Sequence, residues 1–198
     1  MDAVRLIVTS RRALAGSGGT PEMLTEVWQA QALAQAIGSR LAVAGPPELR
    51  GEALGLTELA GRGCGVLDTP RLATEDLRAA QLTELGDARQ ALVCLGGLLG
   101  EVGMALVGLA CASDDESTYW QCMESIDAAD ESRDRVQQML RRLADREEEL
   151  PRERGVLQEL VVPTAVRRQA VVPEAVRQDE ALPEGVLAEK VVPEREAG

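Results

Sequence analysis

Apolar positions recur at helical spacing along the first 150 residues, and Gly or Pro signals close most of the runs. Asp2 predicts an N-cap for a helix reaching about Ala15, with Val4, Ile7 and Leu14 on one face and Val8 beside them. Gly16-Ser17-Gly18-Gly19 stops it. Thr20-Pro21-Glu22 predicts a restart, with a hydroxyl cap, proline at the first helical position and an acid in the first turn. Met23, Val27, Ala30, Ala34, Ile37 and Leu41 keep helical spacing to about Ala44, where Gly45-Pro46-Pro47 ends the run. Glu48 to Ala60 predicts a short helix, weakened by Gly51 and Gly55. Gly61-Arg62-Gly63-Cys64-Gly65 then reads as a connecting loop. No strand precedes it and no helix follows, so a phosphate cradle is not expected there. Thr74 predicts the cap of a further helix over about 75–85, with Leu77, Ala80 and Leu85 apolar.

The most apolar stretch predicts a helix from about Asp87 to Ala112. Leu92, Leu95, Leu99, Val102, Leu106 and Leu109 alternate spacings of three and four, a coiled-coil-like seam. Cys94, Gly97, Glu101, Ala105, Gly108 and Ala112 form a second face, all small except Glu101. A helix apolar nearly all round is expected to be enclosed on several sides, as the centre of a bundle. Ala91 to Ala112 is also long enough to span a membrane and contains Gly96-x-x-x-Gly100. Glu101 at its midpoint costs about 2.5 kcal/mol on insertion scales, and no basic cluster flanks the run, so a buried bundle helix is favoured over a span. Glu101 then needs a partner, and Arg5 or Arg12 of the first helix would serve.

Ser113 and Glu116 match a capping box for the last helix, which runs to about Leu150. Tyr119, Met123, Ile126, Ala129, Val136, Leu140 and Leu143 predict its inner stripe, interrupted by Arg133. From Val161 the pattern changes to blocks of ten: VVPTAVRRQA, VVPEAVRQDE, ALPEGVLAEK and VVPEREAG. A proline at 163, 173, 183 and 193 breaks any long helix and extends the residue before it. One block buries almost nothing, so residues 151–198 read as an extended or disordered tail. Its repeats are candidate docking motifs that gain strength by multivalency, through Val161, Val162, Pro163, Val171, Val172, Pro173, Pro183, Val191, Val192 and Pro193.

Composition narrows the function classes. The net charge is −12, and the tail from Pro151 holds seven basic and nine acidic residues, so all but two of those charges belong to residues 1–150. A surface this acidic repels phosphate backbones, so nucleic acid is not an expected partner. The absence of His removes imidazole ligands and Ser-His or Cys-His pairs. Trp28, Tyr119 and Trp120 are the only aromatic residues, too few for a stacking platform. Cys64, Cys94, Cys111 and Cys122 match no paired spacing and read as reduced thiols, with Cys64 the most exposed and Cys94 and Cys111 buried in apolar runs. Met1-Asp2-Ala3-Val4 is acidic at once, so a secretory leader is not expected and the cytoplasm is. Only Lys190 is Lys, Asn and Phe are absent, and Ala, Gly, Arg, Val and Leu abound, a codon bias of GC-rich bacterial genomes.

One constellation resembles chemistry. Glu124, Asp127, Glu131 and Asp134 fall at spacings of three, four and three, so four carboxylates share one helix face and are candidate Mg²⁺ ligands. The pairs Glu124-x-x-Asp127 and Glu131-x-x-Asp134 resemble the E-x-x-D half of all-α nucleotide pyrophosphohydrolases of the MazG and dimeric dUTPase type. That likeness implies a Mg²⁺-dependent hydrolase as an alternative reading. Those enzymes also carry E-x-x-E on a facing helix. Here Glu22-x-x-x-Glu26 and Glu48-x-x-x-Glu52 are one residue too wide, and no Lys or Asn stands near. An ordinary solvated face is favoured.

Four strings together carry a wider likeness: Val4-Arg5-Leu6-Ile7-Val8, Ala30-Gln31-Ala32-Leu33-Ala34-Gln35-Ala36, Gly45-Pro46-Pro47-Glu48-Leu49-Arg50 and Tyr119-Trp120-Gln121-Cys122. Over roughly residues 1–146 the chain resembles a domain-of-unknown-function family of small actinobacterial, streptomycete-type proteins. The resemblance implies a bacterial cytoplasmic protein and assigns no residue a role. The reading that results is an all-α bundle of four to six helices over residues 1–150, centred on the helix at about 87–112, followed by the repeat tail. Its expected function is that of a non-enzymatic interaction or regulatory protein without cofactor. The expected partner is another protein, a second copy of the chain included.

Overall fold

The computed structural model describes residues 1–67 and 72–160, with side chains as far as residue 148. Five α-helices account for most of them: α1 (Ala3–Gly16), α2 (Thr20–Ala44), α3 (Arg50–Val66), α4 (Ala88–Ala112) and α5 (Glu116–Leu160). No strand occurs among the described residues. Asp2 caps α1 by accepting from the Val4 N–H at 2.7 Å, as the sequence predicts. Pro21 lies in the first turn of α2, but the N-cap is Gly19, and Thr20 is the first helical residue. Glu22 takes the capping role instead, its carboxylate accepting from the Gly18 N–H at 3.0 Å.

The helices pack in the cyclic order α1, α2, α3, α5, α4 and back to α1, with α2 also touching α4 across the ring. α2 is the most enclosed, with eleven buried positions against eight for α4, so the expectation of a central α4 is corrected. Leu6, Ile7, Leu33, Ile37, Leu41, Leu56, Leu92, Leu95, Leu99 and Leu106 fill the core they share. Most of the predicted α4 seam is buried there, from Leu92 through Leu106.

The glycine-rich stretch 61–65 is not a loop; it is the last part of α3. A Cβ at Gly61 would sit 3.0 Å from Gln35 Nε2, and one at Gly63 would sit 2.8 Å from Gln31 Nε2. Gly38, on α2, faces the α3 backbone itself, its absent Cβ falling 3.0 Å from the Ala53 carbonyl oxygen and 3.1 Å from the Thr57 nitrogen. These glycines let α2 and α3 approach, and that burial overrides their low helix propensity.

The helix predicted over 75–85 is replaced by two 3₁₀ turns, Thr74–Asp76 and Arg78–Gln81. Their polar groups find partners on α2. Gln29, itself buried, donates to the Asp76 carbonyl at 2.9 Å and accepts from the Arg78 N–H at 3.0 Å, and Arg40 donates to the Leu82 carbonyl at 3.1 Å. The segment then pairs with the N-terminus, the Ala3 N–H donating to the Glu84 carbonyl at 3.1 Å. Gly86, with φ of +70°, turns the chain into the Asp87 cap of α4. At α5 the cap is Asp115, not Ser113, its carboxylate accepting from the Thr118 N–H at 2.7 Å. The helix also continues through Pro151 to Leu160, beyond the expected end at Leu150.

A line of ion pairs joins α5 to α3 and to the turn before it. Glu131 meets Arg62, Glu52 meets both Arg135 and Arg142, and Glu48 meets Arg146. Glu52 is the buried member, taking Arg135 on one oxygen at 2.6 Å and Arg142 on the other at 2.7 Å. The Arg135 hydrogen bond holds its carboxyl below the ordinary value of 4.5, against the opposing effect of burial.

Three outcomes follow for stability. Gly38→Ala should destabilise by about 1–3 kcal/mol in urea melts, because backbone atoms of α3 cannot yield to a new Cβ. Gly51→Ala, where nothing lies within 4 Å, should instead stabilise by a few tenths to about 1 kcal/mol. Glu52→Gln should lower stability by about 1 kcal/mol at neutral pH, a modest figure because both arginines are half exposed. A carboxyl with a lowered pKa contributes only while ionised, so the gap to wild type should close as the pH falls from 4.5 through the folded-state value.

Candidate functional site

The buried seam of α4 defines an opposite side, and that side has no neighbour among the described residues. Val93, Met104 and Val107 are 57%, 77% and 48% exposed, and Cys111 is exposed beyond them. Gly97 and Gly108 lie on the same side, with open space where a Cβ would be. Positions 93, 97, 100, 104, 107 and 111 alternate spacings of four and three, so they form one stripe along the helix, and no residue in it is charged. Enclosure on several sides was expected; α5, α1 and α2 cover three directions and leave this one open. Length and a mean hydropathy of 2.0 also meet what a membrane span needs, and 44% of that window is buried within the protein. Tyr119 and Trp120, in edge-to-face contact at 5.4 Å, expose further apolar surface at the start of α5.

The stripe has polar edges. On the α1 side Glu101 accepts from Arg11, whose Nε lies 2.9 and 3.0 Å from the two carboxylate oxygens. The sequence reading offered Arg5 or Arg12; Arg11 is the helical position that faces α4. Val8, Arg11, Arg12, Ala15 and Glu101 line a groove of about 370 Å³ between the two helices. On the α5 side, Arg133 lies 3.8 Å from where a Gly100 Cβ would stand, and Asp130 lies 3.9 Å from the same point on Gly103.

The predicted acid stripe is divided. Glu124, Asp127 and Glu131 line a groove of about 300 Å³ with Arg62 and Val66 of α3, and Arg62 occupies Glu131. Asp134 opens into a separate groove with Leu59, Glu131, Arg135 and Gln138. The four acids spaced too widely for a facing E-x-x-E are engaged in other contacts: Glu22 with Gly18, Glu26 with Arg78, Glu48 with Arg146 and Glu52 with two arginines. Among the described residues, no group of three or more His, Cys, Asp or Glu side chains comes together in a way that could hold a metal ion. The tail candidates Val161, Val162, Pro163, Val171, Val172, Pro173, Pro183, Val191, Val192 and Pro193 lie outside the described residues.

The buried stripe of α5 is rotated from the predicted one. Cys122, Ser125, Ala129, Ser132, Val136 and Met139 face inward, while Tyr119 is exposed and Met123 and Ile126 are half-buried. Ser125 and Ser132 were passed over because polar residues mark the outside in a periodicity argument. Both hydroxyls, and both polar atoms of buried Gln31 on α2, lack a hydrogen-bond partner. Gln31 and the Ala128 Cβ both crowd the place where a Gly63 Cβ would be, at 2.8 and 3.3 Å, so the unpaired Gln31 amide is the polar cost of a tight α2–α3–α5 junction.

The thiols also differ from expectation. Cys64 is half-buried, its Sγ 3.7 Å from the Trp28 carbonyl, and burial pushes its pKa up to about 12. Cys122 is buried and raised for the same reason. Cys111 is the exposed one, on the open side of α4.

An all-helical domain with an uncovered apolar helix face, and no assembled catalytic set among its described residues, is the class of protein defined here. The profile of a family of unknown function, DUF6099, matches residues 1–142, and the chain belongs to that family. The match covers α1 to α4 and α5 as far as Arg142. Neither curated proteins nor solved structures gave a match.

With a thiol reagent at pH 8, Cys111 should be modified first and Cys64 only as fast as the chain opens, because the attacking species is the thiolate. Mass mapping of alkylated peptides against time checks the order.

Proposed function

We propose that this chain is a non-enzymatic interaction protein of the cytoplasm that docks through the open face of α4. The observation that supports this reading is the uncharged stripe from Val93 to Cys111 on a helix whose other side is core. Exposed, contiguous apolar surface of this kind is rare on a protein that acts alone, and it marks contact sites. The charge around it is distributed to match. Almost all the net charge of residues 1–150 lies off the stripe, so association elsewhere on the surface meets repulsion. The Pro-centred repeats from Val161 act as a second docking element in the same proposal, each block weak and the set multivalent.

Chemical cross-linking in the native cell tests the reading. Met104→Glu, on the most exposed side chain of the stripe, should lower the yield of cross-linked adducts at least about tenfold while leaving the helical circular dichroism unchanged. Removal of residues 161–198 should reduce the yield further. Unchanged adducts in the Met104→Glu chain would set the docking reading aside.

A further inference from the structure

The open face of α4 fits a second copy of this chain, an inference that rests on the docking reading above. We propose that two copies pair α4 against α4, antiparallel, about a two-fold axis at Gly100. The stripe is nearly symmetric about that residue. Val93 and Val107 lie seven positions to either side, so an antiparallel pair brings each onto the other across the axis. Met104 lies four positions after Gly100 and Gly97 three before it. Antiparallel pairing therefore seats each Met104 against the partner's Gly97, where open space surrounds the missing Cβ. Parallel pairing would place Met104 on Met104 and glycine on glycine, with a clash and a void in place of a fit.

The edges of the stripe support the same partner. Arg11 and Glu101 stand on one side, Arg133 and Asp130 on the other, so the rim is neutral on a chain of net charge −12. An antiparallel two-fold brings like edges together. Each Glu101 then meets the Arg11 of the other copy near the axis, and the two Arg133 guanidiniums meet on the other edge with an Asp130 on either side to offset their charge. A nucleic acid or an anionic lipid surface has no such complement and is repelled by the remaining charge. The stripe is about 27 Å long at 1.5 Å per residue and about one helix width across. Even with the α1 and α5 edges it falls short of the roughly 1,600 Å² of a standard interface, so the pair is reversible, with a Kd on the order of micromolar.

Sedimentation equilibrium of the full chain, from about 5 to about 500 µM, reads the proposal directly. The mass should rise from one chain to two, and added salt should strengthen the pair by screening the acidic surfaces. Met104→Glu should weaken it at least about tenfold. In a background with the four native cysteines replaced by serine, Gly100→Cys should form a disulfide dimer with itself. Its Cβ is accommodated, since the nearest atom is 3.8 Å away. Val93→Cys should cross-link to Val107→Cys but not to itself. A chain that stays monomeric throughout, one that is monomeric and floats with phosphatidylcholine vesicles, or a dimer indifferent to Met104→Glu overturns the proposal. Self-cross-linking of Val93→Cys overturns the antiparallel register. A monomeric wild type whose Met104→Glu variant still loses cellular adducts overturns the second copy while the docking reading stands.

Discussion

α4 is apolar around nearly its whole circumference, and among the described residues four other α-helices are there to cover it. Burial of Leu92, Leu95, Leu99, Val102 and Leu106 contributes about 1.5–3 kcal/mol for each side chain removed from water. α5 lies along one flank of α4, α1 and α2 close the others, and the ring of helices is complete with one side of α4 still facing out. That residual side is a consequence of the ring order. With α3 on the far side of α5, no described helix remains to cover it. The open stripe and the buried seam are therefore two halves of one constraint.

The rest of the body is held in register by two different devices. Between α2 and α3 the device is steric: Gly38, Gly61 and Gly63 remove the atoms that would keep the helices apart. Between α3 and α5 it is electrostatic. Arginines of α5 reach across to Glu52 and Glu48, and Arg62 reaches back to Glu131. Exposed pairs in this line add little to stability singly. Their value lies in fixing how far α5 is slid along α3, since a shift of one turn would set Glu52, already buried, without a partner. One of these pairs also engages a member of the acid stripe that looked like a metal site in one dimension, Glu131 with Arg62. A carboxylate that accepts from a guanidinium is already satisfied.

Much of the helical pattern was legible because it rests on local signals. The Asp2 cap, the spacing from Val27 to Leu41 and the seam from Leu92 to Leu106 lead to the observed α1, α2 and α4. The failures share one cause, which is that tertiary contacts outvoted local propensity. Glycines read as a loop at 61–65 because glycine weakens isolated helices, yet there they permit a close helix crossing. The 75–85 segment reads as helical, yet Gln29 and Arg40 supply its backbone partners from another helix. Ser125 and Ser132 are hidden from any hydrophobic count. On α4 the seam could be counted, but the second face read from the sequence, Cys94 to Ala112 with Glu101 in it, is not the open stripe. What spacing alone could not give was which side stays open, because an apolar helix leaves its own rotation in the fold undetermined.

Methionine methyl NMR with a soluble paramagnetic agent tests the account of α4 most directly. Met104 stands on the open stripe, and Met1, half exposed on another part of the surface, serves as the internal reference. At low concentration both methyl signals should broaden, because both side chains face solvent. As the chain is concentrated, Met104 should become protected while Met1 continues to broaden. Met104 broadened equally at every concentration would contradict the self-pairing of α4, and Met104 protected even at high dilution would contradict the open face itself.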